Sequence, residues 1–180
     1  MIAVIIGVPG SGKSRRAEEL AVRLAGDGPR VYLATMTPYG AEGAERVERH
    51  RKAREGKGYT TVERPTDVGV LAESLPRLAD SVVLLECAAN LVGNEIYAPE
   101  NSRLDDDAIV DLVAAEIRTL ADAAKALVVV TNAFPADEPG YDEPTRRYVR
   151  ILDRVNDRLR AAADRVDELA EEGWRSYGDL

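Results

Sequence analysis

Residues 1–14 read MIAVIIGVPGSGKS, and they decide the fold. Ile2 to Ile6 make an unbroken apolar run of strand length. Gly7 to Ser14 follow at once and fit G-x-x-x-x-G-K-[ST] without a departure. Backbone N–H groups can wrap phosphate oxygens only where no Cβ intrudes, and Gly7, Gly10 and Gly12 leave that room. The candidate nucleotide-binding residues are therefore Gly7, Val8, Pro9, Gly10, Ser11, Gly12, Lys13 and Ser14. Lys13 is positioned to reach the β- and γ-phosphates, Ser14 offers a hydroxyl to Mg²⁺, and the next helix aims its positive N-terminus at the anion. That helix is amphipathic, with Ala17, Leu20, Ala21 and Leu24 on one face. The expected ligand is a nucleoside triphosphate, ATP or GTP.

Outward from the loop, apolar runs alternate with helical patterns. This is the signature of an α/β, P-loop NTPase-like fold: a mostly parallel sheet with helices on both faces. Strands are predicted at Ile2–Ile6, Val31–Ala34, Tyr59–Val62, Val82–Glu86 and Leu127–Thr131. Helices are predicted at Lys13–Ala25, Ala41–Glu55, Asp67–Leu78, Leu104–Ala124 and Glu143–Ala163. Residues 132–144 hold three prolines and read as a loop at a strand's carboxyl end, where open α/β sheets bind ligands. Glu171 to Leu180 read either as a short edge strand or as a frayed tail.

The chain has 180 residues, which predicts one nucleotide-binding domain over 1–180. A formal net charge of −8 argues against general nucleic-acid binding, which leaves a basic footprint. The lone Cys87 excludes a disulfide-built fold. The apolar runs are too short to span a bilayer and no basic leader precedes the first, so a soluble, cytoplasmic protein is expected.

Two further features carry chemistry. VVLLEC sets Glu86 at the end of a second apolar strand, where a P-loop enzyme keeps an acid near Mg²⁺. The alternative is a strand-end carboxylate facing solvent. RVERHRKAREGK, residues 46–57, gathers six basic residues around His50, the only histidine. On a helix Arg46 and Arg54 share its face, and their charge disfavours a protonated imidazole. His50 would then be a neutral nucleophile beside cations that attract a polyphosphate. The plainer alternative is a solvated basic helix. In the last long helix Tyr148, Leu152, Val155 and Leu159 form an apolar stripe, while Arg146, Arg150, Arg154 and Arg158 recur every four residues.

Together these segments resemble the bifunctional adenosylcobinamide kinase / adenosylcobinamide-phosphate guanylyltransferase family of cobalamin biosynthesis. The resemblance runs from the phosphate loop and Ser14-Arg15 through Ala34-Thr35 and R-x-x-x-H-x-K at Arg46 to Lys52. It continues with LLEC, Asn94 at the strand-to-helix turn, VVVTN at 128–132, and R-V-N-x-R-L-x-A-A-A-D from Arg154 to Asp164. It implies a homotrimer that phosphorylates a corrinoid hydroxyl, then passes GMP from GTP through guanylylated His50 to the corrinoid phosphate. With these segments the candidate nucleotide contacts extend to Thr35, Arg46 and Arg54, with His50, Lys13 and Glu86 as candidate catalytic residues and Ser14 and Glu86 on Mg²⁺. The chain departs from the family where Ala133 and FPADEPGYDEP follow VTN, and where polar ELAEEGWRSYG replaces an apolar C-terminal strand. A small-molecule kinase without guanylyltransferase activity, or a nucleotide-binding regulatory module, are the alternatives on the same scaffold.

Overall fold

The computed structural model describes residues 1–37, 48, 52, 56–135 and 138–178. The described strands form a seven-stranded sheet: β1 (Ile2–Gly7), β2 (Arg30–Ala34), β3 (Tyr59–Glu63), β4 (Val82–Glu86), β5 (Ala126–Asn132), β6 (Arg165–Ala170) and β7 (Gly173–Tyr177), in the order β3-β2-β4-β5-β1-β6-β7. Every neighbouring pair is parallel except β6 with β7. Ile2 to Ile6, Val82 to Leu85 and Ala126 to Val130 are all buried. A strand covered on both faces needs apolar residues on both, so its sequence does not alternate.

Among the described residues five α-helices are bounded: α1 (Lys13–Ala25), α2 (Leu71–Ser74), α3 (Ala88–Tyr97), α4 (Asp106–Ala123) and α5 (Glu143–Ala162). Right-handed crossovers put α1, which leads from β1 towards β2, on one face. Connections running the other way across the sheet put α3, α4 and α5 on the opposite face, where they pack on one another. Ala17, Leu20 and Ala21 of α1 are buried. Asp105 and Asp142 begin α4 and α5 by accepting hydrogen bonds from Ala108 N and Thr145 N at 2.8 and 2.9 Å.

The five predicted strands are present, and the predicted helices at 13–25, 104–124 and 143–163 match α1, α4 and α5 to within two residues. The fold is an α/β, mostly parallel P-loop-type sheet. Two readings need correction. The helix expected over Asp67–Leu78 is broken into a 3-10 turn at Val68–Val70, the single turn α2, and a second 3-10 turn at Leu78–Asp80. Pro76 forces the preceding Leu75 into an extended conformation, φ −90° and ψ 117°. Helix α3 was not foreseen, and Asn94 lies inside it rather than at its start. Of the two readings of Glu171 to Leu180 the edge strand is the one present: β7 pairs with β6. The helix expected over Ala41–Glu55 lies outside the described residues, except that Glu48 and Lys52 are helical and form an exposed ion pair at 3.9 Å.

Two of the four stripe arginines of α5, Arg154 and Arg158, pair with α4, as does their neighbour Arg147, whereas Arg150 pairs with Glu143 of α5 itself at 2.9 Å. Arg147 pairs with Asp106 at 2.7 Å, Arg154 with Asp107, and Arg158 with Asp111 at 3.1 Å, all on α4. These surface pairs each contribute little, about 0–1 kcal/mol. No described helix is long and apolar enough to cross a membrane.

Candidate nucleotide site

The loop between β1 and α1 turns on two glycines in the left-handed region, Gly10 at φ 80° and Gly12 at φ 82°. Gly7 is needed for a different reason. A Cβ there would lie 2.8 Å from Ser11 Oγ and 3.4 Å from the Trp174 ring. Val8, Pro9 and Gly10 are exposed, Ser11 is half-buried, and Ser11 Oγ is buried without a hydrogen-bond partner among the described residues.

Lys13 opens α1, 8% exposed, and its Nζ donates to Val8 O at 3.2 Å, folded back over the loop. Burial lowers its pKa from the ordinary lysine value, against the opposing pull of Cys87 and Glu86. A partly desolvated ammonium gains most from an anion brought against it.

One residue further on, Ser14 Oγ donates to Glu86 Oε1 at 2.7 Å. Glu86 ends β4, and β5 lies between β4 and β1. The sheet order thus brings a strand-end carboxylate to the loop hydroxyl across 72 residues of chain. Two oxygen donors side by side suit a hard cation that completes its shell with phosphate oxygens and water, as Mg²⁺ does. Among the described residues no cluster of three or more His, Cys, Asp or Glu offers a closed metal cage, and Mg²⁺ does not need one.

Thr35 is 0% exposed, and both capacities of its hydroxyl are committed. Thr35 Oγ1 donates to Cys87 O and accepts from Cys87 N, both at 2.8 Å. Its backbone N donates to Glu86 O at 3.1 Å. Its carbonyl accepts from Asn94 Nδ2 at 2.7 Å, and the same amide reaches Pro65 O at 2.8 Å. The direct nucleotide contact implied for Thr35 therefore has no free hydroxyl to make it. Thr35 holds the turn that carries Glu86. Burial pushes the Cys87 thiol up to about 12, so Cys87 is a neutral packing group.

On the other side, Thr131 Oγ1 donates to Asn156 Oδ1 at 2.8 Å, and Asn156 Nδ2 donates to Asn132 O at 2.9 Å. The hairpin β6–β7 flanks the loop helix. Arg16 Nε donates to Asp167 Oδ2 at 2.6 Å and its guanidinium stands 5.0 Å over the Trp174 ring. Burial works against the Asp167 charge. Hydrogen bonds from Arg165, Ser176 and Arg16 outweigh it and hold the carboxyl below its usual range.

The structure brings Lys13, Ser14 and Glu86 to one place. His50, Arg46 and Arg54 lie outside the described residues. Sequence reading gave no role to Asn94, Asn156, Asp167 or Trp174. Only the first two had a signal, their places within the segments that carry the family resemblance.

A profile described as CobU, "Cobinamide kinase / cobinamide phosphate guanyltransferase", matches residues 3–173. The chain is 35% identical over 181 residues to the "Bifunctional adenosylcobalamin biosynthesis protein CobU" of Salmonella typhimurium, covering 92% of this chain and 93% of that protein. It is 33% identical over 177 residues to the protein of the same name from Escherichia coli, with the same coverages. Among solved structures it is similar to the "ATPase Domain of G40P", with a TM-score of 0.58 at 9% identity over 95% of this chain and 69% of that one. At that identity the likeness bears on the fold alone.

Proposed function

The chain belongs to the cobinamide kinase / cobinamide phosphate guanyltransferase family, and on that premise we propose that both reactions in the name run at the phosphate loop. In the first, the γ-phosphoryl of ATP or GTP moves to a hydroxyl of adenosylcobinamide. In the second, GMP passes from GTP to the corrinoid phosphate through His50. The observation that carries this reading is the 2.7 Å bond from Ser14 Oγ to Glu86 Oε1 beside an unbroken phosphate loop.

The backbone N–H groups of residues 7–12 and the ammonium of Lys13 bind and orient the triphosphate. Ser14 and Glu86 hold Mg²⁺, which when bound supplies positive charge against the phosphates. Thr35 acts through the Glu86–Cys87 backbone rather than on the nucleotide. Arg46 and Arg54 flank His50 on the helical spacing, keep its imidazole neutral and draw in the second triphosphate. The working unit is a cytoplasmic homotrimer. This rests on family resemblance and on residues 41–56, where Val47 is the only large apolar residue and a partner subunit would complete the site.

The test is incubation of pure protein with Mg²⁺ and GTP labelled at the α-phosphate, followed by peptide mapping, alongside corrinoid phosphorylation by ATP. The expected result is label on His50, labile in acid and stable in base. His50→Ala should lose label and guanylyl transfer yet keep phosphorylation, because γ-phosphoryl transfer does not pass through the imidazole. Wild-type protein that phosphorylates the corrinoid but never takes label is a kinase only. Protein that does neither overturns the whole reading.

A further inference from the structure

The carboxyl end of β5 is the least explained part of the site. β5 lies between β1 and β4, so Asn132 pairs with Gly7 of the phosphate loop on one side, and Glu86 pairs with Val130 on the other. Ala133 N donates to Gly7 O at 3.2 Å, tying the strand end to the loop. Thr131 turns its hydroxyl to Asn156 on α5. Strand alternation therefore turns the Asn132 side chain to the other face, the face of α1 and the phosphate loop.

Asn132 is half-buried, yet its Oδ1 is buried and receives no hydrogen bond from the described residues. Its backbone is fixed, since its carbonyl accepts from Asn156 Nδ2. A fixed acceptor kept from water and from protein donors is unfavourable in a fold unless a ligand supplies the donor. Ser11 Oγ is likewise buried without a partner, and both residues adjoin Gly7. A hydroxyl can serve phosphate oxygens as a donor. An amide oxygen cannot, because phosphate has no hydrogen to give. What Asn132 Oδ1 can accept from is a donor arriving beside the phosphates, and the kinase reaction brings one there, the substrate hydroxyl.

We infer that Asn132 Oδ1 accepts the hydrogen bond of the hydroxyl that attacks the γ-phosphorus, and so aligns the phosphoryl acceptor for transfer. The inference rests on the kinase reading above. In the step a lone pair of the substrate hydroxyl oxygen forms the bond to the γ-phosphorus. The bond to the β,γ-bridging oxygen breaks, and its electron pair leaves with the nucleoside diphosphate. Once the bond to the γ-phosphorus has formed, the hydroxyl proton leaves its hydrogen bond with Asn132 Oδ1 and passes to a non-bridging oxygen of the transferred phosphoryl, then to water. Asn132 is neutral and takes no proton. It contributes orientation, which phosphoryl transfer through a loose transition state needs more than a strong base.

Two substitutions separate this role from a structural one. Asn132→Ala deletes the acceptor. Asn132→Asp has nearly the same shape, keeps an acceptor oxygen and removes the amide donor. The assay is corrinoid phosphorylation by Mg²⁺ and ATP, with ATP affinity measured by equilibrium binding. Asn132→Ala is expected to lower kcat by about 10- to 100-fold. Its ATP affinity is expected to stay within about twofold of wild type, since the lost contact is to the acceptor alone. Asn132→Asp should recover at least about fivefold of the kcat lost in the alanine variant. Asn132→Ala at wild-type kcat overturns the inference, and so does an ATP-binding Asn132→Asp no faster than alanine. If the alanine variant fails to fold, the aspartate variant decides alone: turnover supports the role, and ATP binding without turnover overturns it. A wild type that binds ATP but phosphorylates no corrinoid overturns the functional reading first, and this inference with it.

Discussion

Replacing Thr35 with valine keeps the outline of a fully buried side chain and deletes one oxygen. The two bonds lost are not equivalent. Cys87 O keeps a second donor, because Leu91 N reaches it at 3.1 Å as the first hydrogen bond of α3. Losing the Thr35 hydroxyl there removes one net bond, about 1 kcal/mol. Cys87 N loses the acceptor it has in Thr35 Oγ1, and a buried N–H left unsatisfied costs about 1–3 kcal/mol. The added methyl returns about 0.8 kcal/mol of burial. The balance is roughly 1–3 kcal/mol of destabilisation, or a Tm lower by about 3–10 °C in a chain of this size. Thermal unfolding followed by circular dichroism reads this directly. Thr35→Ser, which keeps the hydroxyl, is the control for the bond, and it should lie closer to wild type. Kinase kcat should fall further in valine than in serine, since Glu86 precedes the loosened peptide. A valine variant as stable as wild type would refute the reasoning that this hydroxyl holds the Glu86–Cys87 turn.

The remaining expectations concern a pH dependence and a spectroscopic signal. Burial, helped by Glu95 and then Asp67 and opposed by the Val68 N–H and Arg64, pushes Glu116 from 4.5 to about 7. An acid raised by folding contributes stability that is full below about pH 4.5 and is lost as pH rises through about 7. The Tm of Glu116→Gln should therefore gain on that of wild type across this window and level off above it; a constant difference from pH 4 to 8 would refute the assignment. Trp174, the only tryptophan, lies against Gly7, so its fluorescence should change when ATP fills the loop, and an unchanged spectrum at saturating nucleotide would contradict that contact.

The parallel sheet was legible because its central strands are buried on both faces, and IAVII, VVLL and ALVVV announce that burial without alternation. Strand β6 was not, and β7 was legible only as one of two readings, an edge strand or a frayed tail. RVDELA and GWRSY lie towards the sheet edge, and their polar residues are matched by partners distant in sequence, such as Arg16 for Asp167. No local pattern encodes a carboxylate whose guanidinium lies 151 residues away. Helix α3 escaped for a related reason. AANLVGNEIY mixes glycine and asparagine into a short apolar run, and it is held by packing on α4 and α5 rather than by propensity. The broken helix at 67–78 shows the opposite failure: apolar spacing suggested continuity, and Pro76 ended it.

The phosphate loop was legible because its chemistry is written in eight consecutive residues, and Glu86 because an acid closing an apolar run must stand at a sheet edge. The groups that fix the site are of another kind. Thr35, Asn94, Asn132 and Asn156 are neutral, and their hydrogen bonds close loops of 52, 59, 24 and 25 residues. Neutrality suits them to a site of this sort. Amides and hydroxyls fix geometry at constant charge across the pH range. The strand order supplies the rest. It sets the carboxyl ends of β2, β4, β5 and β1 side by side, so Thr35, Glu86, Asn132 and Gly7 gather along one edge of the sheet, within two residues of a common register. Asn94 of α3 and Asn156 of α5 pin that edge from the face opposite α1. Among the described residues Lys13 and Glu86 are the charged groups proposed to meet the triphosphate and its cation, and the neutral frame decides where they stand.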